Sequence, residues 1–151
     1  MIPSVRPDST TSGSRWPGRW QRLKARLGLD GPVGAVAERR VASHLKRRGY
    51  RVLAQNVRNR FGEIDIVAEA PDGRTIAIVE VKASESALDD PPPELRVNAF
   101  KQRKLVALAC QLARRYDLTD RPIRFDVAGV LLEPGQEPVI RYHEAAFESH
   151  V

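Results

Sequence analysis

The chain holds one cysteine, Cys110, among 151 residues. No internal disulfide can form, and a metal site built on cysteine pairs is excluded. Histidine is almost as scarce: His44, His143 and His150 are too scattered for a triad. No serine or cysteine stands in the flanking pattern of an activated nucleophile. There is no glycine loop of the kind that cradles phosphate, and no internal repeat. No apolar run comes near the ~18 residues of a membrane span. The opening MIPSVRPDSTTSGSRW has no apolar centre of the kind a secretory signal needs. The expectation is a protein of the reducing cytoplasm with one domain's worth of chain.

Positive charge is plentiful but unevenly placed. The net charge is +6. In residues 1–30, Arg6, Arg15, Arg19, Arg22, Lys24 and Arg26 face only Asp8 and Asp30. The first 15 residues are rich in Pro, Ser, Thr and Gly and read as disordered. WPGRWQRLKARLGL follows, with Trp20, Leu23 and Leu27 at helical spacing. Residues 1–30 are therefore expected to form a basic, disordered extension, and 31–151 the folded domain. Within the domain, basic residues crowd the stretch from Arg39 to Arg60. A patch of that kind suits a polyanion, and it also suits a solvated helix face.

Periodicity lays out the elements. Ala37, Val41 and Leu45 recur at four-residue steps and predict a helix from about Val33 to Arg48, closed by Gly49. At ~100° per residue Glu38 falls beside Ala42 and Leu45, on the inward side. Tyr50, Val52 and Ala54 alternate as a first strand. In GEIDIVAEA, Ile64, Ile66 and Ala68 face one way; Glu63, Asp65 and Val67 face the other. Pro71-Asp72-Gly73 turns the chain into a third strand. There Ala77, Val79 and Val81 share one face, and Ile76, Ile78, Glu80 and Lys82 the other. A second helix carries Leu105, Leu108 and Leu112, with Gln102 near that stripe. RPIRFDVAGVLL and VIRYHEA complete the set as strands. The fold class expected is α/β, with the order αβββαβ(β) and one mixed sheet flanked by helices.

Four ionisable side chains interrupt the apolar hairpin. Asp65 lies on one strand, Glu80 and Lys82 on one face of the next, and the inward Glu38 can cap them. Clustered carboxylates repel and are costly to desolvate, and a divalent cation removes that cost. Oxygen ligands without Cys or His favour Mg²⁺ or Mn²⁺ over zinc. Asp65, Glu80 and Glu38 are the candidate metal ligands. Lys82 is placed to neutralise a scissile phosphate and orient the attacking water. Arg39, Arg58, Arg60, Lys101 and Arg103 are the candidate phosphate contacts. On spacing alone, the same pattern also describes an exposed hairpin laced with cross-strand salt bridges.

These residues resemble a known family. The run from GAVAERRVASHLKRRGY through GEIDIVA and VEVK, then VNAFKQRKLVALA, RFDVAGV and HEAAF, is similar to the YraN-like bacterial proteins. That family is grouped with the PD-(D/E)XK nucleases and is similar to archaeal Holliday junction resolvases. The resemblance spans about residues 34–147 and implies a restriction-endonuclease-like core. It implies a catalytic set in which Glu38 is the helical acid, Asp65 the motif Asp, and Glu80 and Lys82 the acid and lysine of EVK. Gln102 would be the supporting polar residue of the following helix. Glu63 is a family feature with no role assigned. After Lys82 the chain departs from the family pattern and reads ASESALDD. The activity implied is metal-dependent hydrolysis of DNA, branched or damaged DNA included, with DNA and a second copy of the chain as partners. The rival readings are a nucleic-acid-binding module that retains the site without cutting, and a non-enzymatic interaction protein.

Overall fold

The computed structural model describes residues 32–85 and 97–148. The basic extension expected over residues 1–30, with Trp20, Leu23 and Leu27, lies outside them. Helix α1 (Pro32–Arg47) turns Ala37, Val41 and Leu45 into the protein, each fully buried. It closes at Gly49, whose φ of +86° suits a residue without a Cβ. The Gly49 N–H donates to the Lys46 carbonyl and the Tyr50 N–H to the Leu45 carbonyl, so the last helical acceptors are satisfied.

Strands β1 (Arg51–Asn59), β2 (Gly62–Glu69) and β3 (Ile76–Ser84) form an antiparallel meander. Helix α2 (Ala99–Arg115) then carries the chain to β4 (Ile123–Leu131), which pairs parallel to β3. Strand β5 (Val139–Phe147) returns antiparallel to β4. Spatial order equals sequence order, β1-β2-β3-β4-β5. This is the mixed α/β sheet of a restriction-endonuclease-like core, in the order the periodicity predicts.

The two helices cover opposite faces. On one side α1 packs on Ile66, Ala68, Ala77, Val79, Ala128 and Val130. On the other, Leu105, Leu108 and Leu112 of α2 join Ile64, Val67, Ile76, Ile78, Phe125 and Val127. The inner strands are thus buried on both faces, which explains their near-continuous apolar runs. Cutting Leu45 or Leu105 back to Ala would cost about 2–5 kcal/mol, since each fills a close-packed layer.

Two face assignments made by alternation do not hold. Ala54 does not share a face with Tyr50 and Val52; it packs with Leu53 and Val57 on the α2 side. A register shift between Val52 and Ala54 is the cause, because the extra residue at the bulge lets the neighbours Leu53 and Ala54 face the same side. Ile64 likewise joins the α2-side cluster while Ile66 and Ala68 face α1. The pairing of β2 with β3 ends at Ile66–Val79. Past that pair the β2 backbone pairs with β1 and no longer with β3, so alternation relative to β3 loses its force. The same separation of β2 from β3 opens the functional site.

Candidate functional site

Where β2 and β3 part, a cavity of about 510 Å³ opens between the two helical layers. Gly34, Ala37 and Glu38 reach it from α1, and Lys101 and Lys104 from α2. Its floor comes from Asp65 on β2 and Glu80, Val81 and Lys82 on β3. The β1–β2 hairpin closes one side with Arg58, Asn59, Arg60, Phe61, Gly62 and Glu63. Gly62 is required there: a Cβ would meet Leu108 at 3.3 Å, and its φ is +152°. The hairpin tip is therefore seated directly on α2.

Asp65 replaces a missing rung of the sheet. Its Oδ2 accepts the Val81 N–H at 2.8 Å, one step beyond the last backbone pair of β2 and β3. Carboxylate oxygens of Glu38, Glu63 and Asp65 all lie within 4.8 Å of one another. Burial raises the Asp65 pKa well above the ordinary range, and the charges of Glu80, Glu38 and Glu63 raise it further; the Val81 hydrogen bond opposes them. Glu63 is steadied by Arg58, directly opposite on β1, at 3.1 Å.

Glu80 stands a little apart from this trio. It is only 4% exposed. Its Oε1 meets the Lys82 ammonium at 3.3 Å and the Lys101 ammonium at 3.4 Å. Among the described residues, its Oε2 is buried with no hydrogen-bond partner. A buried carboxylate oxygen without a donor is costly. The donor set is oxygen alone, crowded and partly unanswered, and that fits a hard divalent cation better than zinc.

Glu38, Asp65, Glu80 and Lys82 all line the one cavity, as do Arg58, Arg60 and Lys101. Gln102, Arg39 and Arg103 are not among its lining residues. The Gln102 amide instead donates to the Val97 carbonyl at 2.9 Å, at the start of α2. Arg39 and Arg103 are exposed elsewhere on α1 and α2 respectively. The tight carboxylate group contains Glu63 in the place expected for Glu80. The two-residue step from Glu63 to Asp65, which puts both on one strand face, is the sequence signal for it. Lys104, which the motifs do not single out, also faces the cavity.

The first turn of α2 sharpens this picture. Asn98 caps the helix by accepting the Lys101 N–H at 2.9 Å. That turn carries no acid. It carries Lys101, and Lys104 follows within one further turn. Cations near a helix N-terminus work against the helix dipole. Their presence suits an anion held at the cavity mouth.

Comparison with known proteins agrees. The model of the uncharacterised protein family UPF0102 matches residues 37–130. The chain belongs to that family. A UPF0102 protein of Pelobacter propionicus is 41% identical over 116 residues, which cover 77% of this chain and 82% of the relative. One from Symbiobacterium thermophilum is 41% identical over 109 residues, 72% of this chain and 88% of the relative. One from Nocardia farcinica is 37% identical over 125 residues, 83% and 96% respectively. UPF0102 proteins are the YraN-like family, nuclease-like in the PD-(D/E)XK sense, as the resemblance implies. The matched span runs from Ala37, beside Glu38, to Val130 on β4, and so includes every carboxylate of the cavity. Among the described residues, no helix is long and apolar enough to cross a membrane.

Proposed function

We propose that this UPF0102 protein is a metal-dependent nuclease acting on DNA in the cytoplasm. The observation that carries the reading is Glu80: a buried carboxylate with one oxygen unanswered among the described residues, in a cavity shared with Asp65, Glu38 and Lys82. Asp65 and Glu80, with Glu38 and Glu63 beside them, are the residues that would hold Mg²⁺ or Mn²⁺. A cation bound there would act as a Lewis acid at the phosphate and make water a better nucleophile.

The chain's own residues supply the rest. Asp65 is fixed by the Val81 N–H, so its free oxygen keeps one orientation. Lys82 and Lys101 bring positive charge against Glu80, where the non-bridging oxygens of a phosphodiester would be stabilised as charge builds on them. Arg58, Arg60 and Lys104 extend that positive wall along the cavity and would bind flanking phosphates. Residues 1–30 would bind further phosphates without regard to sequence. Deleting them should flatten the salt dependence of DNA affinity by about 0.9 log units for each phosphate no longer bound, with cleavage at saturating DNA unchanged.

A second reading has one observation in its favour. The two ammonium groups on Glu80 partly compensate its charge without a metal, as would suit a DNA-binding module that retains the site and does not cut. Calorimetric titration with Mg²⁺, followed by cleavage assays on linear, nicked and four-way DNA, separates the two. The nuclease binds Mg²⁺ and cuts, and Glu80→Gln or Asp65→Asn abolishes both. Binding of Mg²⁺ and DNA without cutting of any substrate would sink the nuclease reading. No Mg²⁺ binding at all would sink both and leave an interaction protein.

A further inference from the structure

Among the described residues, two exposed phenylalanines bear on this cavity, one lining it and the other beside its lining residues. Phe61, at the tip of the β1–β2 hairpin, is 43% exposed and lines the opening. Phe100, in the first turn of α2, is 60% exposed. It adjoins Lys101 in sequence and touches Lys104, both of which line the same opening. Each ring carries a cation: Arg60 lies 4.6 Å from the Phe61 centroid, and Lys104 lies 4.5 Å from that of Phe100.

Neither ring is needed by the core. The packing beneath the hairpin is made by Gly62 against Leu108, and α2 is held by Leu105, Leu108 and Leu112. An exposed phenylalanine makes no hydrogen bond and orients no catalytic group. What it offers is a π-face. A duplex shows phosphates and groove edges to a protein, and its base faces are covered by stacking. Only unpaired bases present the flat apolar surface that such rings match. Alternation of aromatic rings with phosphate-binding cations is the arrangement that single strands require.

We infer that Phe61 and Phe100 are base-stacking residues, and that the preferred ligand of this cavity is single-stranded or locally unpaired nucleic acid. The inference rests on the nucleic-acid reading of the site but not on its cutting activity. Arg60 and Lys104 serve twice, holding each ring by its one face and meeting phosphate with the charge. The opposite ring face would take the base.

The test uses the full chain, with Ca²⁺ in place of Mg²⁺ so that binding is read without cleavage. Three probes are compared by fluorescence anisotropy: labelled oligothymidine, an abasic oligomer with the same number of phosphates, and a blunt duplex. Wild type should bind oligothymidine most tightly. Phe61→Ala and Phe100→Ala should each weaken oligothymidine binding about tenfold, with the abasic and duplex affinities nearly unchanged. Phe61→Tyr and Phe100→Trp should retain it. The salt slope should not move, because every phosphate stays bound, whereas Arg60→Gln or Lys104→Gln should weaken all three probes and flatten it. Equal losses on oligothymidine and the abasic oligomer, or no loss on either, would overturn the inference. So would a wild type that prefers the blunt duplex. A protein that cuts nothing in Mg²⁺ yet shows the base-dependent losses keeps the stacking assignment and loses the nuclease one. A protein that cuts duplex DNA with the Phe variants indifferent does the reverse. Wild type that binds none of the three probes defeats both.

Discussion

Glu80 and Asp126 lie on adjacent parallel strands and are almost equally buried, at 4% and 1% exposure. By alternation they leave the sheet on opposite faces. Asp126 is fully answered. Its Oδ1 accepts from Arg124 at 2.8 Å and from the Ala145 N–H at 2.9 Å. Its Oδ2 accepts from Arg124 at 2.7 Å and from the Tyr142 hydroxyl at 2.6 Å. Arg124 goes on to donate to Tyr50, and Tyr50 donates to Glu144. Even the Ala145 N–H is accounted for: it lies where the β4–β5 register shifts, at a φ of +49°, and Asp126 takes it up. Among the described residues, Glu80 has two ammonium groups on one oxygen and nothing on the other. A carboxylate whose every lone pair is used ties strands together. One left half-used among other carboxylates is poised for a ligand. Their burial is alike, and only the partners tell the two roles apart.

The largest effect expected from this contrast is on stability. Asp126→Ala removes the buried acceptor shared by Arg124, the Tyr142 hydroxyl and the Ala145 N–H, and should cost about 3–5 kcal/mol in urea denaturation. Glu80→Gln should change metal-free stability by less than about 1 kcal/mol, because it removes charge from an incompletely answered site. Equal losses at the two positions would break the comparison.

Tyr142→Phe comes next. It deletes one hydrogen bond to a charged acceptor and should cost about 1.5–3 kcal/mol. Burial, then the neighbouring Asp126 charge, raises the Tyr142 pKa, so its hydroxyl stays protonated and able to donate throughout the working range. Denaturation of Tyr142→Phe at neutral pH and at mildly alkaline pH should therefore give the same loss. A loss confined to one pH would show that the phenol titrates.

Asp65→Asn should act with the opposite sign. Burial and three neighbouring carboxylates disfavour the charged form, while an amide oxygen can still accept the Val81 N–H. Without metal the variant should be more stable than wild type by about 1 kcal/mol. With excess Mg²⁺ wild type should overtake it, since only wild type gains from binding. A variant less stable than wild type in EDTA would show that the acidic cluster is structural after all.

The smallest effect belongs to an exposed carboxylate that the chain satisfies locally. Asp72, in the β2–β3 turn, accepts from the Thr75 hydroxyl at 2.6 Å and from the Arg74 and Thr75 N–H groups at 2.8 Å each. These bonds, that from the Thr75 hydroxyl foremost, lower its pKa to about 2. Its contribution should be complete above the unfolded value near 4 and lost as pH falls through about 2. Asp72→Asn should remove that part of the acid dependence, lowering stability above about pH 5 by a constant amount without adding any slope there. An unaltered acid limb would show that the turn does not depend on the charge.

Much of this is legible from the chain. Four-residue steps in α1, Leu105, Leu108 and Leu112 in α2, and the turn at Asp72–Gly73 reproduce the observed element order. These depend on local periods of 3.6 and 2, which the backbone imposes wherever an element forms. Motif spacing also fixes which strand or helix carries Glu38, Asp65, Glu80 and Lys82, so their gathering at one cavity follows from the order of elements. For Glu63 the spacing gives a face and no role. For Asp126 it gives only alternation with Arg124 and Ala128, and no hint of the network around it.

The sequence by itself determined which segments become helix and strand, that both helices must cover a sheet, and that acids and a lysine would fall near one hairpin. Tertiary structure alone decided the rest. It chose the bulge that turns Ala54 over, the point where β2 leaves β3, the closing of β5 around Asp126, and the meeting of the hairpin tip with α2 that brings Phe61 and Lys104 to one opening. The physical reason is that periodicity reports how a residue faces its own element. Whether a charge is answered or left open depends on groups brought in from elsewhere in the chain. Tyr142 lies sixteen residues from Asp126, and Lys101 lies twenty-one from Glu80.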